Sequence, residues 1–213
     1  MKLVIVRHGE TKFNLAMKNG LKFCAGCMNT EFADLTENGK EMARKLSENE
    51  IIKNINKIYV SNLNRAIETA KLSKPNCEYI ITPELRERSL GIFEGKTKDE
   101  IMENPEYQKY YIDSQYKEFK DSFTQKAPKG ENYTEVLDRV MNFFNNLKYE
   151  DNDVIGVYSH FCAIRCMFCG LLKIDPKEKI FNLKIKNCEP YVFEGKSIND
   201  LKLISHNIED LFA

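Results

Sequence analysis

His8 is the first residue placed for chemistry. It follows Arg7 and precedes Gly9, at the end of the apolar run Leu3-Val4-Ile5-Val6. That run reads as a short buried strand, and in an open parallel sheet ligands bind beyond the strands' carboxyl ends. A permanent cation beside a histidine favours the neutral imidazole, and a neutral imidazole next to fixed positive charge can attack a phosphoryl group. Taken alone, the same residues also describe a strand end with a surface histidine. A second histidine, His160, ends the apolar run Val154-Ile155-Gly156-Val157-Tyr158-Ser159 in the same manner. Between them, Lys57-Ile58-Tyr59-Val60 leads into Ser61-Asn62-Leu63-Asn64-Arg65. Ser61 or Asn62 suits a helix N-cap, which puts Arg65 in or near the first turn. Free N–H groups, the helix dipole and a planar guanidinium there all favour an anion.

These stretches carry a resemblance. Arg7-His8-Gly9-Glu10-Thr11-Lys12-Phe13-Asn14 resembles the signature of the histidine phosphatase superfamily, which includes the cofactor-dependent phosphoglycerate mutases. Ser61-Asn62-Leu63-Asn64-Arg65-Ala66-Ile67-Glu68-Thr69-Ala70 resembles its second signature, with Arg65 as the phosphate-binding arginine. Leu85-Arg86-Glu87 followed by Phe93-Glu94-Gly95, Gly130-Glu131-Asn132, and Ser159-His160 match further stretches in order. The resemblance implies that His8 is transiently phosphorylated and that Glu87 protonates the leaving group. A carboxyl facing a dianionic phosphate is pushed toward its neutral acid by like charge. It further implies that Arg7, Arg65, His160 and Asn14 stabilise the phosphoryl oxygens. Arg88 and Phe161 fall at the substrate. A small residue and a glycine whose backbone nears the phosphate correspond either to Ala25-Gly26 or, by count, to Gly20. Phe161 departs from the family's glycine, and its side chain would be strained if that position needed a positive φ.

The implied activity is hydrolysis of a small phosphorylated metabolite through a phosphohistidine. The alternative is phosphoglycerate mutation within glycolysis, primed by 2,3-bisphosphoglycerate. A lesser one is a phosphate-binding or scaffold protein spoiled by Phe161. No arginine occurs between Arg88 and Arg139, where the mutases carry a pair for the far end of the substrate. Ser89-Leu90-Gly91 also replaces their His-Tyr-Gly. Both departures favour the phosphatase. The arginines supply the positive charge, so neither metal nor other cofactor is expected.

The elements that position these residues follow from pattern. Leu3–Val6, Lys57–Val60, Glu78–Thr82 and Val154–Ser159 read as strands alternating with helices. Thr36 caps a helix striped by Met42, Ala43 and Leu46, and Asn132 with Glu135 makes a capping box for a helix burying Val136, Val140, Phe143, Phe144 and Leu147. Residues 15–34 read as a long loop. The tail offers two short strands, Tyr191–Phe193 and Leu201–Ile204, and His206 as a surface residue. Residues 96–130 break the rhythm with lysines 96, 98, 109, 117, 120, 126 and 129 among Tyr107, Tyr110, Tyr111, Tyr116, Phe119 and Phe123. The resemblance makes this a helical insertion over the active site. The expected fold is α/β, a three-layer αβα sandwich with a mostly parallel sheet, as one domain over 1–213.

With 213 residues and 42% hydrophobic content the chain can bury a substantial core. Lys plus Arg and Asp plus Glu are both 32, which gives no electrostatic case for nucleic acid or an anionic membrane. No apolar run approaches a membrane span. The expected protein is therefore cytoplasmic, a monomer or homodimer, with a small phosphate ester as partner. Seven cysteines cannot form a complete intramolecular disulfide set. Cys162, Cys166 and Cys169 recur at helical spacing as one buried face. Cys24–Cys27 and Cys166–Cys169 are poorly spaced for zinc.

Overall fold

A computed structural model describes residues 1–21, 24–112 (of 111 and 112 the backbone only), 121–175, 177 and 180–212. Its centre is β1 (Lys2–Arg7), where Leu3, Val4, Ile5 and Val6 have no exposed surface. Successive strand side chains point to opposite faces, so a strand buried on both sides must be apolar throughout. Leu3 and Ile5 belong to one core, Val4 and Val6 to the other.

Along the chain follow α1 (Lys12–Lys18), α2 (Glu37–Leu46), α3 (Glu50–Lys53), β2 (Lys57–Ser61), α4 (Asn64–Ser73) and β3 (Tyr79–Thr82). After them come α5 (Lys98–Glu103), α6 (Pro105–Ile112), α7 (Tyr133–Asn145), β4 (Val154–Ser159), α8 (Phe161–Leu172), β5 (Pro190–Glu194) and β6 (Lys202–Leu203). The sheet order is β3-β2-β4-β1-β5-β6. The first four strands run parallel, and β5 returns antiparallel to β1. One face is covered by α7 and α8, with Phe144, Val140, Ile164 and Phe168 fully or almost fully buried. The other is covered by α2 and α4 through Leu46, Ala66 and Ala70. Each large apolar side chain so buried contributes about 1.5–3 kcal/mol. The three-layer α/β sandwich is as expected.

The local stops also match. Thr36 accepts the Gly39 N–H and caps α2, and Asn132 with Glu135 closes a capping box on α7. Three readings are corrected. The stretch 15–34 is not all loop: Thr11 caps α1, and Asn14 completes a capping box, because its side chain reaches back to the Thr11 N–H. α4 begins only at Asn64, with Leu63 at the cap and no side-chain bond, since Ser61 is used elsewhere. Of the three α8 cysteines, Cys166 and Cys169 are buried while Cys162 is only partly buried against the same core.

The described helices of the 96–130 insertion, α5 and α6, do not bring their lysines to the site. Ile101, with Tyr107 and Tyr110 packed alongside, joins a small cluster around Cys24, Phe93 and Ala127. Tyr116, Phe119, Lys117 and Lys120 lie outside the described residues, as does the side chain of Tyr111.

Candidate active site

Parallel pairing of β1 with β4 sets Arg7 opposite Ser159, so the residues that follow, His8 and His160, emerge side by side. Their ring centroids are 5.1 Å apart. β2 ends on the other flank of β4, which brings Ser61 Oγ to 2.7 Å from His160 Nε2. Ser61 Oγ also accepts the Leu63 N–H, which explains its absence from the α4 cap.

The His8 tautomer follows from one contact. Nδ1 is 2.8 Å from the Gly9 carbonyl, which can only accept, so Nδ1 carries the proton and Nε2 keeps its lone pair. Burial holds the His8 pKa well below its ordinary value, aided by Arg65 and Arg7. The ring is therefore neutral, as the Arg-His pair implied. Burial likewise lowers His160, with Arg65 the next cause. His160 has no exposed surface and sits behind His8 without lining the cavity. Its Nδ1 is buried without a hydrogen-bond partner among the described residues.

The turn carrying His8 is held on three sides. The Gly9 N–H donates to Thr69 Oγ1 at 3.0 Å, and that hydroxyl donates to the Arg65 carbonyl at 2.6 Å. Asn187 Nδ2 donates to the His8 carbonyl at 2.7 Å. A Cβ on Gly9 would lie 2.5 Å from the Gly39 carbonyl oxygen, so glycine is required where the turn meets α2. Glu10 accepts from Lys18, Thr36 and Asn38, and this ties α1 to α2.

The arginines are anchored by backbone carbonyls. Arg65 donates to Met28 at 2.7 Å and Gly26 at 3.1 Å, while Arg7 donates to Ile185 at 2.8 Å. Arg7 Nε is buried without a partner among the described residues. Gly26, at φ +52°, lines the cavity; Gly20 has no neighbour within contact distance of its Cβ position. Of the two candidates in the 15–34 stretch, Ala25-Gly26 lines the cavity and Gly20 does not. Asn14 also lines the cavity, with its Oδ1 turned to the Thr11 N–H.

Glu87 occupies the start of α8. Its carboxylate accepts from the Cys162 N–H at 3.1 and 3.2 Å, from Ala163 at 3.3 Å and from Arg88 at 2.8 Å. The loop bearing it is clamped from α7. Arg139 donates to the Glu84 and Arg86 carbonyls, and Glu131, paired with Arg86 and Arg139, accepts the Ser89 N–H. Glu94 Oε1 joins the two loops by accepting from Cys27 N, Ser89 Oγ and Leu90 N.

Phe161 is the first residue of α8 and is not among the positive-φ residues, so the feared strain does not arise. Its ring lies 4.8 Å from the Arg7 guanidinium carbon and 3.9 Å from that of Arg165. These groups enclose a cavity of about 380 Å³. His8, Arg7, Arg65, Asn14, Gly26, Glu87, Arg88 and Phe161 all reach it, and of the sequence-derived site residues only His160 does not. Sequence reasoning missed Arg165, Asp121, Tyr133 and Cys162, which also line it. Arg165 follows Phe161 by four residues, one helical turn, and that spacing could have revealed it. Asp121 left no such signal. Larger grooves lie elsewhere; one includes His206, which is engaged by Glu189 and Ser205.

A strand-end histidine with a fixed tautomer, beside Arg65 and Arg7 in one cavity, agrees with the family that the comparison finds. The chain belongs to the histidine phosphatase superfamily (branch 1), whose model matches residues 3–202. It is 29% identical over 181 residues to phosphoserine phosphatase 1 of Hydrogenobacter thermophilus, covering 82% of this chain and 78% of that one. It is 26% identical over 192 residues to the "Probable phosphoglycerate mutase GpmB" of Serratia proteamaculans, covering 88% and 82%. The crystal structure of phosphoserine phosphatase from Entamoeba histolytica in complex with 3-phosphoglyceric acid superposes with a TM-score of 0.73 at 25% identity, covering 96% of this chain and 95% of that one. No helix among the described residues is long and apolar enough to cross a membrane.

Proposed function

We propose that this chain hydrolyses phosphate monoesters of small metabolites through a phosphohistidine at His8. The observation that carries the reading is the fixed tautomer: Nδ1 is committed to the Gly9 carbonyl, and Nε2 is a free lone pair beside Arg7 and Arg65. Nε2 attacks phosphorus in line, and the two arginines stabilise the charge spread over the non-bridging oxygens. The unpartnered Arg7 Nε supports the same role for that group, while His160, buried behind His8, acts on the His8 ring and not on the phosphoryl oxygens. As the P–O ester bond breaks, the leaving oxygen takes a proton from Glu87. Water then gives its proton to the Glu87 carboxylate and attacks the phosphohistidine. The Nε2–P bond breaks, phosphate leaves, and neutral His8 returns. The expected setting is the cytoplasm, where such small esters are made and used.

The test is a His8→Ala variant with phosphoryl trapping. Turnover of an aryl phosphate is expected to vanish, and acid-labile label is expected on His8 of the native chain. Label on serine or cysteine, or full activity in the variant, overturns the reading.

Mutase activity is the second reading, favoured by the name of the Serratia relative. Against it stands the gap in arginines from Arg88 to Arg139, since lysines lack the bidentate fork that fixes a carboxylate. Supplying 3-phosphoglycerate with catalytic 2,3-bisphosphoglycerate separates the two. Isomerisation an order of magnitude faster than phosphate release would make this chain a mutase.

A further inference from the structure

Attack by His8 Nε2 requires the ring proton to stay on Nδ1, and the Gly9 carbonyl is what keeps it there. Whatever aims that carbonyl therefore governs the nucleophile. Two side chains from distant parts of the chain meet on the peptide that joins His8 to Gly9.

A peptide unit is planar, with its C=O and N–H pointing to opposite sides. The oxygen of this one, the His8 carbonyl, accepts from Asn187 Nδ2 at 2.7 Å. Its N–H, on Gly9, donates to Thr69 Oγ1 at 3.0 Å. A turn of the plane would break both bonds. It would also change ψ of His8 and φ of Gly9, the dihedrals that set the Gly9 carbonyl against the ring. Asn187 Nδ2 is 3.3 Å from the Gly9 carbonyl oxygen and 3.4 Å from Asn14 Oδ1 as well, so its second hydrogen serves that carbonyl directly.

Both side chains are themselves firmly placed. Ahead of β5, the Ile185 carbonyl accepts from Arg7 Nη1 at 2.8 Å, and the Cys188 N–H donates to the Arg7 carbonyl at 2.9 Å. Asn187 lies between these two attachments to β1. Cys188 holds φ +52°, a left-handed conformation that a residue with a side chain keeps only when its surroundings impose it. Thr69 has no exposed surface and gives its own hydrogen to the Arg65 carbonyl at 2.6 Å, so toward Gly9 its oxygen accepts. One hydroxyl thus joins the His8 turn to the helix turn that carries Arg65. Neither Asn187 nor Thr69 lines the cavity.

On the reading of His8 as the nucleophile, we propose that Asn187 and Thr69 are positioning residues. They clamp the His8–Gly9 peptide at its two ends and so fix the proton of His8 on Nδ1.

The test reads the tautomer directly. NMR of histidine labelled at both ring nitrogens separates a protonated nitrogen from a bare one. The chain has three histidines, and the signals lost in His8→Ala are those of His8. The native chain is expected to show a protonated Nδ1 and a bare Nε2. Thr69→Val keeps the shape and removes the hydroxyl. This variant and Asn187→Ala are each expected to spread the proton over both nitrogens. In each, kcat for p-nitrophenyl phosphate is expected to fall about tenfold, the worth of one hydrogen bond, with KM unchanged because neither side chain reaches the ester. Thr69→Ser keeps the hydroxyl and is expected to restore both tautomer and kcat. Asn187 is half-buried in a turn, so Asn187→Ala carries the test if Thr69→Val does not fold. A native tautomer in both variants overturns the clamp, whatever their rates, and so does a kcat loss in Thr69→Ser equal to that in Thr69→Val. A protonated Nε2 in the native chain overturns the clamp and attack by Nε2 together. If the native chain turns over no ester, the phosphatase reading fails, and the tautomer comparison still decides the clamp.

Discussion

Glu94 offers a test of how the site is assembled. One of its oxygens, Oε1, accepts the Cys27 N–H at 3.0 Å, the Ser89 hydroxyl at 2.9 Å and the Leu90 N–H at 2.8 Å. Cys27 belongs to the loop whose carbonyls at Gly26 and Met28 hold Arg65. Ser89 and Leu90 belong to the loop bearing Glu87 and Arg88. Glu94→Ala strips three donors of their acceptor. Each hydrogen bond to a charged group is worth roughly 1.5–3 kcal/mol, and water can replace part of this at a half-buried site. The expected loss of stability is about 3 kcal/mol. Glu94→Gln keeps an oxygen there and loses only the charge assistance, so about 1–1.5 kcal/mol is expected. Both loops must sit correctly at once, and a misplacement of about 1 Å can cost roughly a hundredfold in rate. Urea unfolding and single-turnover phosphorylation of His8 measure the two effects. The expected order in both is native, then Gln, then Ala, with Ala down about a hundredfold in phosphorylation rate. An alanine variant within threefold of native in rate, at unchanged stability, refutes the reasoning.

Other outcomes follow from the same geometry. The pKa values of His8 and His160 are lowered by burial, against an unfolded value of about 6.5. Below about pH 6.5 the unfolded chain binds more protons, so stability rises with pH through that window and is lost as pH falls. The urea midpoint is expected to drop between about pH 6.5 and 5, and His160→Gln to remove up to about 1.4 kcal/mol per pH unit of that slope; an unchanged slope refutes a buried neutral His160. Phe161→Leu removes the ring shared by Arg7 and Arg165, each contact worth roughly 0.5–2 kcal/mol, so KM for an aryl phosphate is expected to rise about tenfold; steady-state kinetics with unchanged KM would show that the ring is idle. Among the described residues no cluster of His, Cys, Asp and Glu could hold a metal ion, and activity is expected to survive exhaustive chelation. Loss restored by added zinc or magnesium would contradict that.

The sequence by itself determined the frame and the chemistry near each strand end. Leu3–Val6 and Val154–Ser159 are apolar throughout because both faces are covered, and each runs directly into its histidine. Arg65 was legible because it follows a strand within a helix-opening pattern, and Thr36 and Asn132 because capping is a contact with the next turn. All these signals act within a few residues along the chain. The tertiary structure decided what acts across it. Only the β1–β4 register hides His160 behind His8, and only the end of β2 gives it Ser61. Asn187 reaches the His8 carbonyl from 179 residues away, and Glu94 reaches Cys27 from 67. Asn14, legible as a polar group near the site, proved also to be a helix cap, because its side chain found the Thr11 N–H. Phe161 was read as a departure and became a plate for two arginines, one of which comes from the next turn of its own helix. A side chain's type limits the bonds it can make, but the partner it meets depends on which strands lie side by side.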